Sequence, residues 1–317
     1  MLVLSEAETA KALPFAALID ALDGMFRTGC EMPVRHHHDM AVPGEADATL
    51  LLMPAWVPGA YSGVKIVHVV PGNSNRGLPA VSASYLLSDA RTGAALALVD
   101  GGELTARRTA AASALAARFL ARTGAEDLLM VGTGRLSLNL IGAHCAVRPI
   151  KTVSVWGRSP DKAANVARAA EEAYGVTARA VTELETACRM ADIVSTATLS
   201  SAPLVYGDWL KPGAHLDLVG AFKPGMRESD DTAVRRASVF VDTRDGCTKE
   251  GGDIVQPIRN GVLDPSEIRG DLYDLTRGLH PGRETGDEIT LFKSVGAALE
   301  DLAGAILAYQ GAKATGS

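Results

Sequence analysis

Residues 127–144 read DLLMVGTGRLSLNLIGAH, and no other stretch limits the fold as much. An apolar run, Leu128 to Val131, meets Gly132-Thr133-Gly134, and a helical pattern begins at once. Such a turn from strand to helix opens a dinucleotide-binding unit. Glycine at 132 allows the tight turn, and glycine at 134 lets the backbone approach a pyrophosphate. The free N–H groups at the helix start, with the positive end of its dipole, favour that anion. Ser137 holds the third glycine position, so the fingerprint is imperfect and an ordinary strand–turn–helix shares it. The residues that follow carry more weight. Strands are expected at 127–131, 151–156, 176–181, 191–197, 214–219 and 238–242. Helices are expected near 134–146, 160–174, 183–190 and 229–236. The alternation predicts an α/β fold with a doubly wound parallel sheet, a Rossmann domain.

The second strand, KTVSVWGRSP, bears on the nucleotide. NAD-binding units usually end this strand in Asp or Glu, which binds the ribose 2′-OH. Here it ends Gly157-Arg158-Ser159. An arginine and a hydroxyl suit a 2′-phosphate, which favours NADPH and leaves NADH open. Ser159 is equally a good N-cap ahead of Pro160.

Upstream the pattern is different. Leu2–Leu4 reads as a strand, Ser5 with Glu8 as a capping box, and a helix follows Pro14. ATLLLMPAW, YSGVKIVHVVP, AVSASYLLSDA and ALALVDGGELT are β-rich runs parted by Gly, Pro, Asn and Asp, which predicts an antiparallel meander. Lys65 lies inside an apolar strand, either snorkelling outward or lining a cavity. Three adjacent histidines, His36 to His38, invite a metal reading, but no carboxylate/His cluster elsewhere supports it, so no metal is expected. Leu104–Arg122 reads as an Ala-rich helix capped by Thr105, with Arg107 and Arg108 in its first turn. Cations are unfavourable there unless an anion is bound. One of them is therefore expected to grip a ligand carboxylate, or to pair with an acid such as Glu103.

The region 243–288 holds short helices at most. Residues 288–310 read as a short strand and an amphipathic helix with Glu300 and Asp301 on its polar face. That helix is expected to rejoin the first domain, giving 1–122 plus 291–317 as a discontinuous α+β domain and 123–290 as the nucleotide domain.

Composition excludes several classes. Lys+Arg 31 against Asp+Glu 37 gives a net charge of -6, and no basic block is present, so nucleic acid is not an expected partner. No apolar run reaches the roughly 18 residues of a membrane span. Cys30, Cys145, Cys188 and Cys247 form no CxxC pair, and the N-terminus lacks the pattern of a signal peptide, so a reduced, cytoplasmic setting is expected.

Four stretches then resemble the ornithine cyclodeaminase/mu-crystallin family: MPVR with GVKIV, LTARRTAAASALAARFLA, VGTGR with VSVWGRSPDKA, and LFKSVGAALEDLAGA. The resemblance implies a homodimer with a substrate and dimerisation domain beside the Rossmann domain. It implies that Arg35, Lys65 and Arg108 are substrate-binding cations, with Thr109 beside them near the cofactor. It implies Gly132, Thr133, Gly134 and Arg135 at the pyrophosphate, and Arg158 and Ser159 at a 2′-phosphate. Thr198 and Leu199 would lie near the nicotinamide, and Ser294 and Val295 would touch the cofactor.

One departure is informative. Cyclodeaminases carry an aspartate after the strand ending in VGG, acting on the substrate amine and on water. In LDLVGAFKPGMRE that position is Phe222, which can fill neither role. VGAFKPGMRE instead resembles the bacterial ketimine reductase branch, including Δ1-pyrroline-2-carboxylate reductases. The resemblance implies NAD(P)H-dependent reduction of Δ1-pyrroline-2-carboxylate, or its six-membered homologue Δ1-piperideine-2-carboxylate, to L-proline or L-pipecolate. Phe222 would wall the ring, and Lys65 would grip the carboxylate or supply a proton. The alternatives are a cyclodeaminase, an alanine-type amino-acid dehydrogenase, and a non-catalytic NADPH-dependent ligand-binding protein.

Overall fold

A computed structural model describes residues 1–315. The chain divides into two compact units, Met1–Arg108 with Ala298–Ser317, and Thr109–Ala297. Gly316 and Ser317, which the sequence reading assigns to the first domain, lie outside the described residues.

The first unit opens with β1 (Leu2–Leu4), α1 (Glu6–Ala12) and α2 (Phe15–Thr28). The capping box forms: Glu8 N–H donates to Ser5 Oγ, and Ser5 N–H donates to Glu8 Oε2 at 2.9 Å. Leu18, Ile19, Leu22 and Phe26, spaced at helical period, form the buried face of α2. Then come β2 (His36–Met40), β3 (Ala48–Val57), β4 (Tyr61–Val69), β5 (Val81–Asp89) and β6 (Ala95–Asp100). The sheet order is β1-β6-β5-β4-β3-β2, an antiparallel meander with β1 added in parallel at the β6 edge. Register places Met53, Lys65, Tyr85 and Val99 in one row across four strands, and alternation turns all four to the buried face.

Helix α3 (Gly101–Leu120) begins a turn earlier than Thr105 suggests. Asp100 ends β6 and accepts the Glu103 N–H at 2.7 Å, so it caps the helix instead. Glycine is needed at 101, where a Cβ would lie 2.6 Å from the Ala83 carbonyl carbon. Arg107 and Arg108 therefore stand in the second turn, not the first.

The second unit contains β7 (Asp127–Val131), α4 (Ser137–Val147), β8 (Thr152–Trp156), α5 (Pro160–Tyr174), β9 (Thr177–Ala180), α6 (Leu184–Met190) and β10 (Ile193–Thr196). It continues through β11 (His215–Leu218), α7 (Asp231–Arg236), β12 (Ala237–Val241), α8 (Arg244–Glu250), α9 (Gly252–Arg259), β13 (Gly270–Asp271), α10 (Leu272–Thr276) and β14 (Ile289–Lys293). All eight strands are parallel, in the order β13-β12-β14-β11-β10-β7-β8-β9. The chain runs outward from β7 to β9 and then returns to β10 on the other side of β7, which creates the crevice where such sheets bind ligands. Strand β14 is fully buried between β11 and β12. For that reason the second unit extends to Ala297, beyond the boundary at 290 that local sequence suggests. Helix α11 (Ala298–Thr315) belongs to the first unit and packs on α2 and on β3 to β6.

Candidate active site

In the second unit, the ends of β7, β8 and β10 line a cleft of ≈ 510 Å³. Gly132 has φ +125°, and a Cβ there would stand 2.6 Å from the Ala197 carbonyl oxygen. Only glycine combines that backbone with that neighbour. At Gly134 a Cβ would meet nothing within 4 Å, so the backbone faces open space. At Gly157 a Cβ would strike Thr133 Cγ2 at 2.6 Å. These glycines form a cradle that suits a dinucleotide. Ser137, in the third glycine position, is buried and donates to the Gly132 carbonyl at 3.0 Å. The serine therefore braces the turn that it interrupts in sequence, and α4 starts there.

Arg158 is exposed in the cleft wall. Ser159 caps α5 by accepting the Lys162 N–H, and Lys162 adds a second cation to the wall that the sequence reading did not single out. Arg135 is exposed beside Gly134, and Leu199 is 80% exposed. Thr198 is held: Glu228 Oε1 accepts both its N–H, at 2.7 Å, and its hydroxyl, at 2.8 Å. Glu228 Oε2 accepts the Gly220 N–H at 2.6 Å, so one buried carboxylate ties the loops after β10 and β11 together. Burial pushes the Glu228 carboxyl up; Lys293 opposes this and Asp253 adds to it. Asp242 does similar work after β14, accepting the Val295 N–H at 2.7 Å and the Gly296 N–H at 2.6 Å, which fixes the turn containing buried Ser294. Phe222 is 46% exposed, with the Lys223 ammonium 5.6 Å from its ring centroid.

In the first unit the sequence-predicted cations meet partners that the sequence reading placed elsewhere. Lys65 is 3% exposed and its Nζ lies 2.7 Å from Asp301 Oδ2. Arg108, 5% exposed, donates from Nε to Asp301 Oδ1 at 2.9 Å and from Nη1 to Glu300 Oε2 at 2.5 Å. Glu300 and Asp301 are fully buried in the first turn of α11, and not on a polar face as its spacing suggests. Helical spacing gives only a direction, and the partners on that side are a lysine and an arginine, not apolar side chains. The positive end of the helix dipole also favours acids at this turn.

Burial lowers the Lys65 pKa to about 8, against the opposing pull of Asp301 and with a further push from Arg108. For Arg108, burial acts downward, but Asp301 and Glu300 outweigh it and hold the guanidinium above its ordinary range. Tyr85, beside Lys65 across β4 and β5, has a fully buried hydroxyl that burial, then Asp301 and Cys30, push well above the usual phenol value. Its ring fills the space a Cβ would need at Gly63, 2.4 Å from the hydroxyl oxygen.

The remaining candidates are placed as follows. Arg107 takes the alternative left open for it, pairing with Glu103 at 2.7 Å and lying over the Phe15 ring. Arg35 is half-buried just before β2, and Thr109 is half-buried next to Arg108 on α3. His36 and His38 share one side of β2, their rings 6.3 Å apart, and His36 to His38 are all exposed. No group of three metal-binding side chains occurs among the described residues. All four cysteines are free, and no helix among the described residues is long and apolar enough to cross a membrane.

The model of the ornithine cyclodeaminase/mu-crystallin family matches residues 1–316. An uncharacterized protein of Schizosaccharomyces pombe is 45% identical over 317 residues, covering 97% of this chain and 96% of its own. The Δ(1)-pyrroline-2-carboxylate reductase of Paracoccus denitrificans is 40% identical over 286 residues, 89% of each chain. A solved structure, Thermococcus litoralis Δ(1)-pyrroline-2-carboxylate reductase in complex with NADH and L-proline, has a TM-score of 0.92 at 34% identity, covering 100% of this chain and 98% of that one.

Proposed function

We propose that this chain, which belongs to the ornithine cyclodeaminase/mu-crystallin family, is an NAD(P)H-dependent reductase of cyclic ketimine carboxylates. Its substrates would be Δ1-pyrroline-2-carboxylate and Δ1-piperideine-2-carboxylate, its products L-proline and L-pipecolate. The observation that carries this reading is the full-length likeness to the reductase solved with NADH and L-proline. The pair of buried cations, Lys65 and Arg108, supports it, because a ring carboxylate leaving water needs such partners. Arg35 is a third candidate for the same carboxylate. Phe222, in place of a carboxylate, speaks against water addition and ammonia release, and so against the cyclodeaminase alternative.

A nicotinamide dinucleotide held in this cleft would supply hydride to the ring carbon bearing the carboxylate. The chain's own residues do the rest. Gly132, Thr133, Gly134 and Arg135 would receive the pyrophosphate at the start of α4. Arg158, Ser159 and Lys162 favour a 2′-phosphate, hence NADPH. The Thr198–Leu199 loop and the Ser294–Val295 turn, tied by Glu228 and Asp242, would border the nicotinamide. With its pKa at about 8, Lys65 can hold a proton at neutral pH and release it to the imine nitrogen. Positioning of the ring supplies most of the rate. A homodimer is inferred from family membership.

The test is NADPH and NADH oxidation followed spectrophotometrically with Δ1-pyrroline-2-carboxylate, Δ1-piperideine-2-carboxylate, and pyruvate with ammonia or methylamine. Turnover of a cyclic ketimine supports the reading; none with either ring refutes it.

A further inference from the structure

The two acids of α11 contribute nothing to the reaction outlined above, yet both are fully buried beside its proposed cations. We propose that Asp301 is a positioning residue that fixes Lys65 in place and keeps it protonated, so that the ammonium is available for the ketimine. This rests on the reading of the preceding section.

The geometry separates Asp301 from Glu300. Asp301 bridges both cations, with Oδ2 2.7 Å from Lys65 Nζ and Oδ1 accepting from Arg108 Nε at 2.9 Å. With one oxygen held by Arg108, the other is oriented toward Lys65 Nζ. Glu300 pairs with Arg108, 2.5 Å from Nη1, and acts on Lys65 more weakly than Asp301 does. Arg108 carries its charge at every working pH, so Glu300 orients a group whose protonation never changes. A lysine with almost no contact with water otherwise sheds its proton. Asp301 is the counter-charge in direct contact with Lys65, and helix α11 delivers it from its first turn.

The groups around Lys65 are few. Asp301 and Glu300 come from α11, and Arg108, which repels the ammonium, comes from α3. Tyr85 comes from β5 and is neutral at working pH, as is Cys30 near it, whose thiol is pushed up to about 11 by burial, with a smaller push from Glu31. Met53 from β3 has no charge to offer. Removing the Asp301 charge therefore takes away the carboxylate that lies 2.7 Å from Nζ and pulls most strongly on its proton.

The experiment compares wild type, Asp301→Asn and Glu300→Gln by the pH dependence of kcat/KM for Δ1-pyrroline-2-carboxylate with saturating NADPH. In parallel, carbon NMR of ε-labelled lysine titrates Lys65, assigned with Lys65→Met. The wild-type basic limb is expected near pH 8. Asp301→Asn should move the limb and the NMR titration down together by at least about one pH unit, roughly tenfold in the proton equilibrium. Its activity should recover toward acid pH. Glu300→Gln should raise KM and shift the limb much less. A limb and an NMR titration unmoved in Asp301→Asn overturn the proposal, as does an equal shift in Glu300→Gln. If Asp301→Asn fails to fold, Asp301→Glu serves: it keeps the charge, so a downward NMR shift there counts against the proposal and an unshifted titration supports it. Absence of any ketimine turnover by wild type refutes the reading of function. The NMR titration still judges Asp301 separately.

Discussion

Replacing Lys65 with methionine sets two magnitudes against each other. Removing one partner of a buried ion pair commonly costs about 3–5 kcal/mol, because the other charge is left alone in the interior. Here it is not left alone, since Arg108 still donates to Asp301 at 2.9 Å. On the other side stands the burial penalty of the lysine itself. Its pKa falls from 10.5 in the open chain to about 8 in the fold. At 1.36 kcal/mol for each pH unit, the folded state loses about 3 kcal/mol at neutral pH by carrying this charge. Because that net figure already contains the attraction to Asp301, Lys65→Met should raise the stability of the protein at pH 7, by up to about 3 kcal/mol, while abolishing ketimine reduction.

The sign with pH follows from linkage. Between pH 8 and 10.5 the unfolded chain holds the Lys65 proton and the folded chain does not. Proton uptake on unfolding means that wild-type stability rises across this window. The penalty is complete below pH 8 and gone above 10.5, so the advantage of Lys65→Met should shrink over the same interval. Urea unfolding of both proteins at pH 7, 9 and 10.5, followed by circular dichroism, measures the difference. A variant less stable than wild type at pH 7, or an advantage independent of pH, would falsify the reasoning.

Three further outcomes are expected. Arg158→Ala should raise KM for NADPH at least about tenfold more than KM for NADH, as loss of one charge-assisted phosphate contact implies; equal changes refute the 2′-phosphate assignment. Gly132→Ala adds a methyl 2.6 Å from the Ala197 carbonyl at φ +125° and should store about 1–3 kcal/mol of strain in the cradle. Fluorescence titration should show NADPH binding at least about tenfold weaker, and unaltered binding would remove the cradle from its proposed role. Asp242→Ala leaves the buried Gly296 N–H and its neighbour at Val295 without their carboxylate, costing about 1–3 kcal/mol for each. A denaturation midpoint within error of wild type would show that the turn does not depend on Asp242.

Much of the fold is legible because local rules suffice for it. Alternation marks the four central strands of the meander, Gly132 and Gly134 mark the strand-to-helix turn, and Ser159-Pro160 marks the start of α5. Boundaries fail where two local signals compete. Thr105 is a good cap, but Asp100, at the end of a paired strand, is already placed to cap the helix five residues earlier. The placement of β14 is not local at all. ITLFK reads as one short strand, and only pairing with β11 and β12 on its two sides makes it central to the sheet.

The site divides in the same way. Lys65 and Arg108 are visible as charges in surroundings that disfavour them, one inside an apolar strand and one near the start of an Ala-rich helix. Glu300 and Asp301 give no such signal, because acids in the first turn of a helix are ordinary. Their meaning comes from partners almost 200 residues earlier for Arg108 and more than 200 earlier for Lys65. The foursome sums to zero, two cations against two carboxylates, which is how charge is tolerated without water. A neutral foursome is not by itself a stabilising one, since apolar residues of equal volume fold at least as well. Within it the two cations differ: burial outweighs the carboxylates for Lys65, whereas the carboxylates outweigh burial for Arg108. A charge held inside the fold, in a row with Met53, Tyr85 and Val99 where an apolar residue fits the pattern, supports the proposal that Lys65 serves the reaction.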